Sequence, residues 1–183
     1  MSPLQRWPLV WAGRALLAIV LLHCAFAAAA FDRLPARLPV HFGADGAPDA
    51  YAHPGLGSWF FLVFVSAVAG AIVWIAGIAI FRIPAKWLNI PKKAAFLALP
   101  EPERLAVLAT VSAFLMLLGA TTCAGLFAIQ IAQAAIALGA LERFPVALPF
   151  AVVGATFVVI VAMFVRTSAA VDAAVARRIK EGR

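Results

Sequence analysis

Charge is what this 183-residue sequence has least of. Asp, Glu, Lys and Arg make up 13% of it against 65% hydrophobic residues, whereas soluble domains carry about a quarter charged and about half apolar. A water-soluble globular class is excluded on that ground. Cysteine is scarce as well. Cys24 and Cys123 both lie in apolar runs, which argues against a disulfide scaffold and for two small packing residues. No HExxH, no Ser-His-Asp order and no phosphate-cradling glycine loop occurs, so the expectation is a protein that is not an enzyme and needs no cofactor. The apolar runs hold no Asp, Glu, Lys or Arg, and His23 is the one ionisable side chain inside them. That disfavours a proton-coupled transporter, and mostly apolar helices offer no polar lumen for a pore.

What is present is long hydrophobic runs, with a mean hydropathy of +1.01. The expected fold is an all-α integral membrane protein with four transmembrane helices, at about 15–31, 58–81, 103–140 and 146–166, plus a short structured extracytoplasmic loop after the first. A run of about 20 residues crosses a bilayer core of about 30 Å. The small residues Ala67, Gly70, Ala71 and Gly77 in the second run suit close helix packing. The third run is nearly twice the length a bilayer requires, so it is expected to protrude, kink or tilt. Gln130 and Gln133, three apart on one face, mark its later half. Either the helix leaves the lipid there and buttresses the loop, or both glutamines bond to neighbouring helices. Ala27 to Ala30 also has the small residues of a signal-peptide cleavage site, which is an alternative fate for the first segment.

The formal net charge is +7, and its placement decides between nucleic acid and topology. Twelve of the fifteen Lys and Arg residues fall in the N-terminus, a basic connector at about 82–102 extending to Arg104, and a tail at about 167–183 beginning beside Arg166. Only Arg33, Arg37 and Arg143 lie in the other two connectors. The positive-inside rule then puts both termini in the cytoplasm and residues 32–57 outside. The basicity is explained by topology and anionic lipid, with no direct nucleic-acid partner. Pro84, Pro91, Pro100 and Pro102 break the connector, which is either an interfacial segment led by Trp87 or an ordinary loop. Val171, Val175 and Ile179 recur every four residues, so the tail is expected to form a short amphipathic helix.

Residues 31–51 are the one stretch that concentrates polar and turn-forming side chains between apolar runs. Leu34-Pro35 and Leu38-Pro39 set extended backbone, and Gly43, Asp45-Gly46 and Pro48-Asp49 set turns. His41, Asp45, Asp49 and His53 recur at four-residue spacing, a pattern that on a helix would gather two imidazoles and two carboxylates around a metal. Gly43, Gly46 and Pro48 oppose such a helix, leaving Asp45 and Asp49 as turn caps and His41 as a local hydrogen-bonding group.

The order Leu34-Pro35, Leu38-Pro39, His41-Phe42, Gly46, Pro48-Asp49 resembles the signature of an uncharacterised bacterial membrane domain family, DUF1648, shared with SdpI-type immunity proteins. Asn89-Ile90-Pro91 with Lys93 and Phe96 resembles the family's second motif, in the loop after the next helix. The resemblance covers roughly the first hundred residues, and His53-Pro54 departs from the family's usual Gly, Ser or Lys. It implies a multi-spanning protein of the bacterial inner membrane. The best-studied relatives of that family protect their producer from a secreted peptide toxin and signal to a small cytoplasmic repressor. Pro35, Pro39, His41, Gly46 and Asp49 would then shape a ligand-binding loop, with Asn89, Pro91 and Lys93 as the second motif. A different class of function, a structural or accessory subunit of a larger membrane complex or transporter, fits the same composition.

Overall fold

The computed structural model describes residues 3–182. The chain folds as α1 (Pro3–Phe31), a hairpin of β1 (Leu38–Phe42) and β2 (Pro48–Ala52), α2 (Phe61–Ala79), a 3₁₀ turn (Ala85–Trp87), α3 (Lys93–Ala98), α4 (Glu101–Ala137) and α5 (Ala147–Lys180). Four helices are long and apolar enough to cross a membrane: Leu9–Phe31, Phe61–Ala79, Glu101–Ala137 and Ala147–Lys180, with mean hydropathies of 2.0 to 2.6. The fold is mostly helical, but the loop after α1 is a two-stranded antiparallel sheet, so the all-α expectation is corrected there. The reason is local. Prolines and a β-branched residue hold Leu38–Phe42 extended, and a turn at 43–47 brings Pro48–Ala52 back alongside.

α4 is the axis of the bundle, packing on α1, α2 and α5. Small residues let it approach its neighbours. A Cβ built on Gly125 would lie 2.3 Å from Val152 of α5, and one on Gly77 of α2 would lie 2.7 Å from Met116 of α4. Ser112 Oγ donates to the Gly77 carbonyl at 2.6 Å and the Cys123 thiol to the Ser66 carbonyl at 3.3 Å, across the same seam. Both cysteines are free. Much of the outer surface is apolar instead of polar, with Phe61, Phe64, Ile72 and Ile75 of α2 and Phe150, Phe157 and Phe164 of α5 exposed.

Element ends differ from the hydrophobic runs in physical ways. α1 begins at Pro3, ahead of position 15, and Leu9 and Ala12 already pack on Leu16 and Met116. α2 starts at Phe61 because residues 55–60 are drawn into a turn, with Trp59 N–H donating to the Gly55 carbonyl and Ser58 Oγ to the His53 carbonyl. α5 continues unbroken to Lys180, so the tail is no separate helix. Val171 and Ala174 are its buried anchors, in one cluster with Leu88, Ile90, Phe96 and Leu99 of the connector and Val107, Leu108 and Val111 of α4. The basic connector is therefore a packed cap on the bundle, with Trp87 73% exposed at its edge. Lys92 holds its turn at φ 56° and pairs with Asp172 of α5, while Arg178 donates to the Ala98 carbonyl. Of the second motif, Asn89 and Lys93 are exposed and Pro91 is half-buried.

Candidate functional site

The hairpin is held down from below, from the side and at its tip. Gln133 of α4, 6% exposed, donates from Nε2 to the Pro39 carbonyl at 2.8 Å. Leu38 beside it is fully buried with Trp59, Ala27 and Ala134. At the tip, Gly46 takes φ +80°, and its carbonyl accepts the Phe144 N–H at 2.8 Å from the turn between α4 and α5. Phe42 stacks on Phe144 with ring centroids 4.8 Å apart, and Arg143 Nη1 reaches Asp45 Oδ2 at 2.7 Å. On the outer side the Arg37 guanidinium lies 4.5 Å over the Tyr51 ring.

One turn deeper, a buried polar relay ties three elements together. Gln130 Nε2 donates to the Trp59 carbonyl at 3.0 Å, which leaves its Oε1 to accept from His23 Nε2–H at 2.7 Å. His23, Trp59 and Gln130 are each 0% exposed. Trp59 Nε1–H closes the arrangement on the Ala27 carbonyl of α1 at 2.8 Å, and Phe127 stacks on His23 at 5.0 Å. The two expectations for the glutamines thus divide. Gln130 bonds between helices, and Gln133 buttresses the hairpin.

The candidates from the sequence end up in different places. His41 Nδ1 and Asp49 Oδ1 pair across the hairpin at 2.5 Å, both well exposed. Asp45 has other partners, accepting the Ala47 N–H at 3.0 Å in an Asx turn and pairing with Arg143. His53 is exposed beyond the second strand. The four-residue spacing thus does not gather His41, Asp45, Asp49 and His53 at one point. Among the described residues no three His, Cys, Asp or Glu side chains form a metal-holding group, because a hairpin replaces the helical period that would have aligned them. Pro39 is buried and Pro35 half-buried under the loop, and Gly46 is buried at the tip. Arg143, Phe144 and Trp59 were not singled out from the sequence. Arg143 had a signal, as one of only three basic residues on its predicted side. Phe144 had none.

The Ala47 N–H, with the nearby Arg143 guanidinium adding to it, holds the Asp45 carboxyl below its usual range. A carboxyl depressed on folding lends stability above its unfolded pKa, about 3.9, and loses it as pH falls through the lower folded value. Hydrogen exchange at the Ala47 amide is therefore expected to be slower in wild type than in Asp45→Ala from pH 7 down to about 4. The difference closes at lower pH. Equal protection at pH 7 would show that the carboxylate does not set the turn.

Between the hairpin, the start of α2 and α4 lies a cleft of about 380 Å³, lined by Val40, Phe42, Phe61, Ile129, Gln133 and Phe144 among others. None of its lining residues is charged. Gln133 lines the cleft, and its Oε1 is buried with no donor among the described residues. Such a site suits an apolar group that carries one N–H or O–H. No curated protein and no solved structure matches the chain. Residues 18–67, running from within α1 through the hairpin into α2, match the family described as a domain of unknown function (DUF1648).

Proposed function

We propose that this chain is a non-enzymatic, multi-pass protein of the bacterial cytoplasmic membrane, with both termini cytoplasmic and the hairpin facing outward. There it recognises an extracytoplasmic peptide, toxin or envelope ligand in the manner of the SdpI-related immunity proteins. The observation that carries the reading is the hairpin clamped over an uncharged cleft lined by Gln133, whose buried Oε1 has no donor among the described residues. The match at residues 18–67 supports the family connection, and the charge asymmetry supports the orientation. His41 and Asp49 stiffen the outer face of the hairpin, with Pro35 and Pro39 fixing its backbone. Any signal to a cytoplasmic repressor would leave through the packed connector, where Asn89 and Lys93 are exposed.

The test is survival of a deletion strain carrying wild type or Asp49→Ala, at matched membrane levels, against membrane-active peptides and envelope toxins. Wild type is expected to protect selectively against at least one agent, and Asp49→Ala to lose that protection by breaking the cross-strand pair. Equal survival with and without the wild-type protein across the panel would overturn the immunity reading. A second reading, an accessory subunit, is favoured by the exposed apolar face of α5, with Phe150 at 78% and Val153 at 68% exposed. Co-purification of a stoichiometric larger membrane protein in mild detergent would select it.

A further inference from the structure

About 30 Å along α4 from Gln133, estimated at 1.5 Å per residue, a groove runs between α4 and α5. One part, about 630 Å³, is walled by Ala109, Ala113 and Phe114 of α4 and reaches Arg166 of α5. It continues past Thr110 and Ala170, which both parts share, into a further 230 Å³ that ends at Glu103 and Arg177. The groove follows from the sequence. Arg166, Ala170, Ala173 and Arg177 are spaced i, i+4, i+7 and i+11 on one face of α5, so two arginines stand about 16 Å apart with only methyl groups between them. Ala106 and Thr110 face the two alanines from α4, so the stretch between the arginines is walled by short side chains.

Among the described residues Arg166 and Arg177 have no side-chain partner. Neither Arg166 nor Arg177 takes part in the ion pairs His41–Asp49, Lys92–Asp172 and Arg143–Asp45. Neither side chain donates a hydrogen bond among the described residues, unlike the adjacent Arg178. Arg166 directly follows the last apolar residue of the run, Val165. It sits where an apolar chain in the groove would end in a headgroup. Glu103 is the one acid that faces the groove, and it lines the Arg177 part and not the Arg166 part.

We infer that this groove binds an anionic glycerophospholipid of the cytoplasmic leaflet, with an acyl chain along Ala109, Ala113 and Phe114 and the phosphate on Arg166. Arg177 adds attraction for the anion along the same face. The inference rests on the membrane reading above, and it is independent of what the hairpin recognises.

Native mass spectrometry of the full chain in neutral detergent tests it, with phosphatidylglycerol as probe and phosphatidylcholine as the zwitterionic comparison. Wild type is expected to retain one phosphatidylglycerol at concentrations where phosphatidylcholine is lost. Arg166→Gln weakens retention about tenfold, as loss of one charge-assisted contact implies. Ala113→Leu, which fills the groove without changing charge, abolishes retention of the bound lipid while helicity and melting temperature hold. Arg82→Gln, a basic residue outside the groove, leaves it unchanged. Equal retention of the two lipids, or an Arg82→Gln effect as large as that of Arg166→Gln, overturns the site and leaves only general surface attraction. A chain that stays in solution without detergent overturns the membrane reading as well.

Discussion

Replacing Gly46 by alanine is expected to destabilise the protein by about 3 to 5 kcal/mol, a cost in the exceptional range for one added methyl, and to free the hairpin from the bundle. Two effects combine. At φ +80° any side chain is strained, by about 1 to 2 kcal/mol. In addition, the new Cβ would lie 2.3 Å from the Phe144 carbonyl oxygen. That oxygen is backbone, and the Phe144 N–H is already bonded to the Gly46 carbonyl, so the contact cannot relax without breaking the clamp. Gly139 provides the comparison. It has a similar φ of +76° but open space around its Cβ position, so Gly139→Ala should show the strain alone, about 1 to 2 kcal/mol. Thermal unfolding in detergent, with limited proteolysis at 43–48 as a local readout, separates the two. Equal losses in both variants would mean that the tip is not seated on Phe144.

Those two glycines also show what the sequence could and could not display. Asp45-Gly46 reads as a turn on its own, because the chemistry of positive φ is local. Its seat on Phe144 is not legible, since that partner lies 98 residues away in a short turn whose composition says nothing of a hairpin. The extended run through Leu38-Pro39 was readable from its prolines, but a second strand that starts at Pro48 and carries only Pro48, Asp49, Ala50, Tyr51 and Ala52 has no alternation to announce it. The spacing of His41, Asp45, Asp49 and His53 shows the same limit. Four-residue spacing means convergence only on a helix, and across a hairpin it brings His41 to Asp49 and sends Asp45 to Arg143.

The long apolar runs made four helices legible and their ends much less so, because hydrophobicity marks where a helix can be apolar and not where its hydrogen bonds stop. Arg166 reads as a boundary, yet α5 continues for fourteen residues beyond it to Lys180, since Val171 and Ala174 have a core to enter. That core is formed partly by Leu88, Ile90, Phe96 and Leu99 of the connector. Prolines interrupt the connector too often for any period to show, so a basic, broken stretch conceals a packed cap.

Gln130→Leu is the second large effect, expected at about 2 to 4 kcal/mol. The substitution keeps the volume but leaves two fully buried groups unpaired, the His23 Nε2–H and the Trp59 carbonyl, and each orphan costs about 1 to 3 kcal/mol. His23→Leu alone orphans only Gln130 Oε1 and should cost less. In the double variant one orphan, the Trp59 carbonyl, remains against three summed over the single variants, so the two losses should fall short of additive by about 2 kcal/mol or more. Strict additivity in thermal unfolding would show that the 2.7 Å contact contributes nothing. The local readout discriminates further. The hairpin keeps its own ties to Gln133 and Phe144, so Gln130→Leu should melt earlier while protease resistance at 43–48 persists up to that melt. Gly46→Ala should do the reverse, losing resistance well before the bundle unfolds, because its clash lies at the clamp and not between α1, α2 and α4.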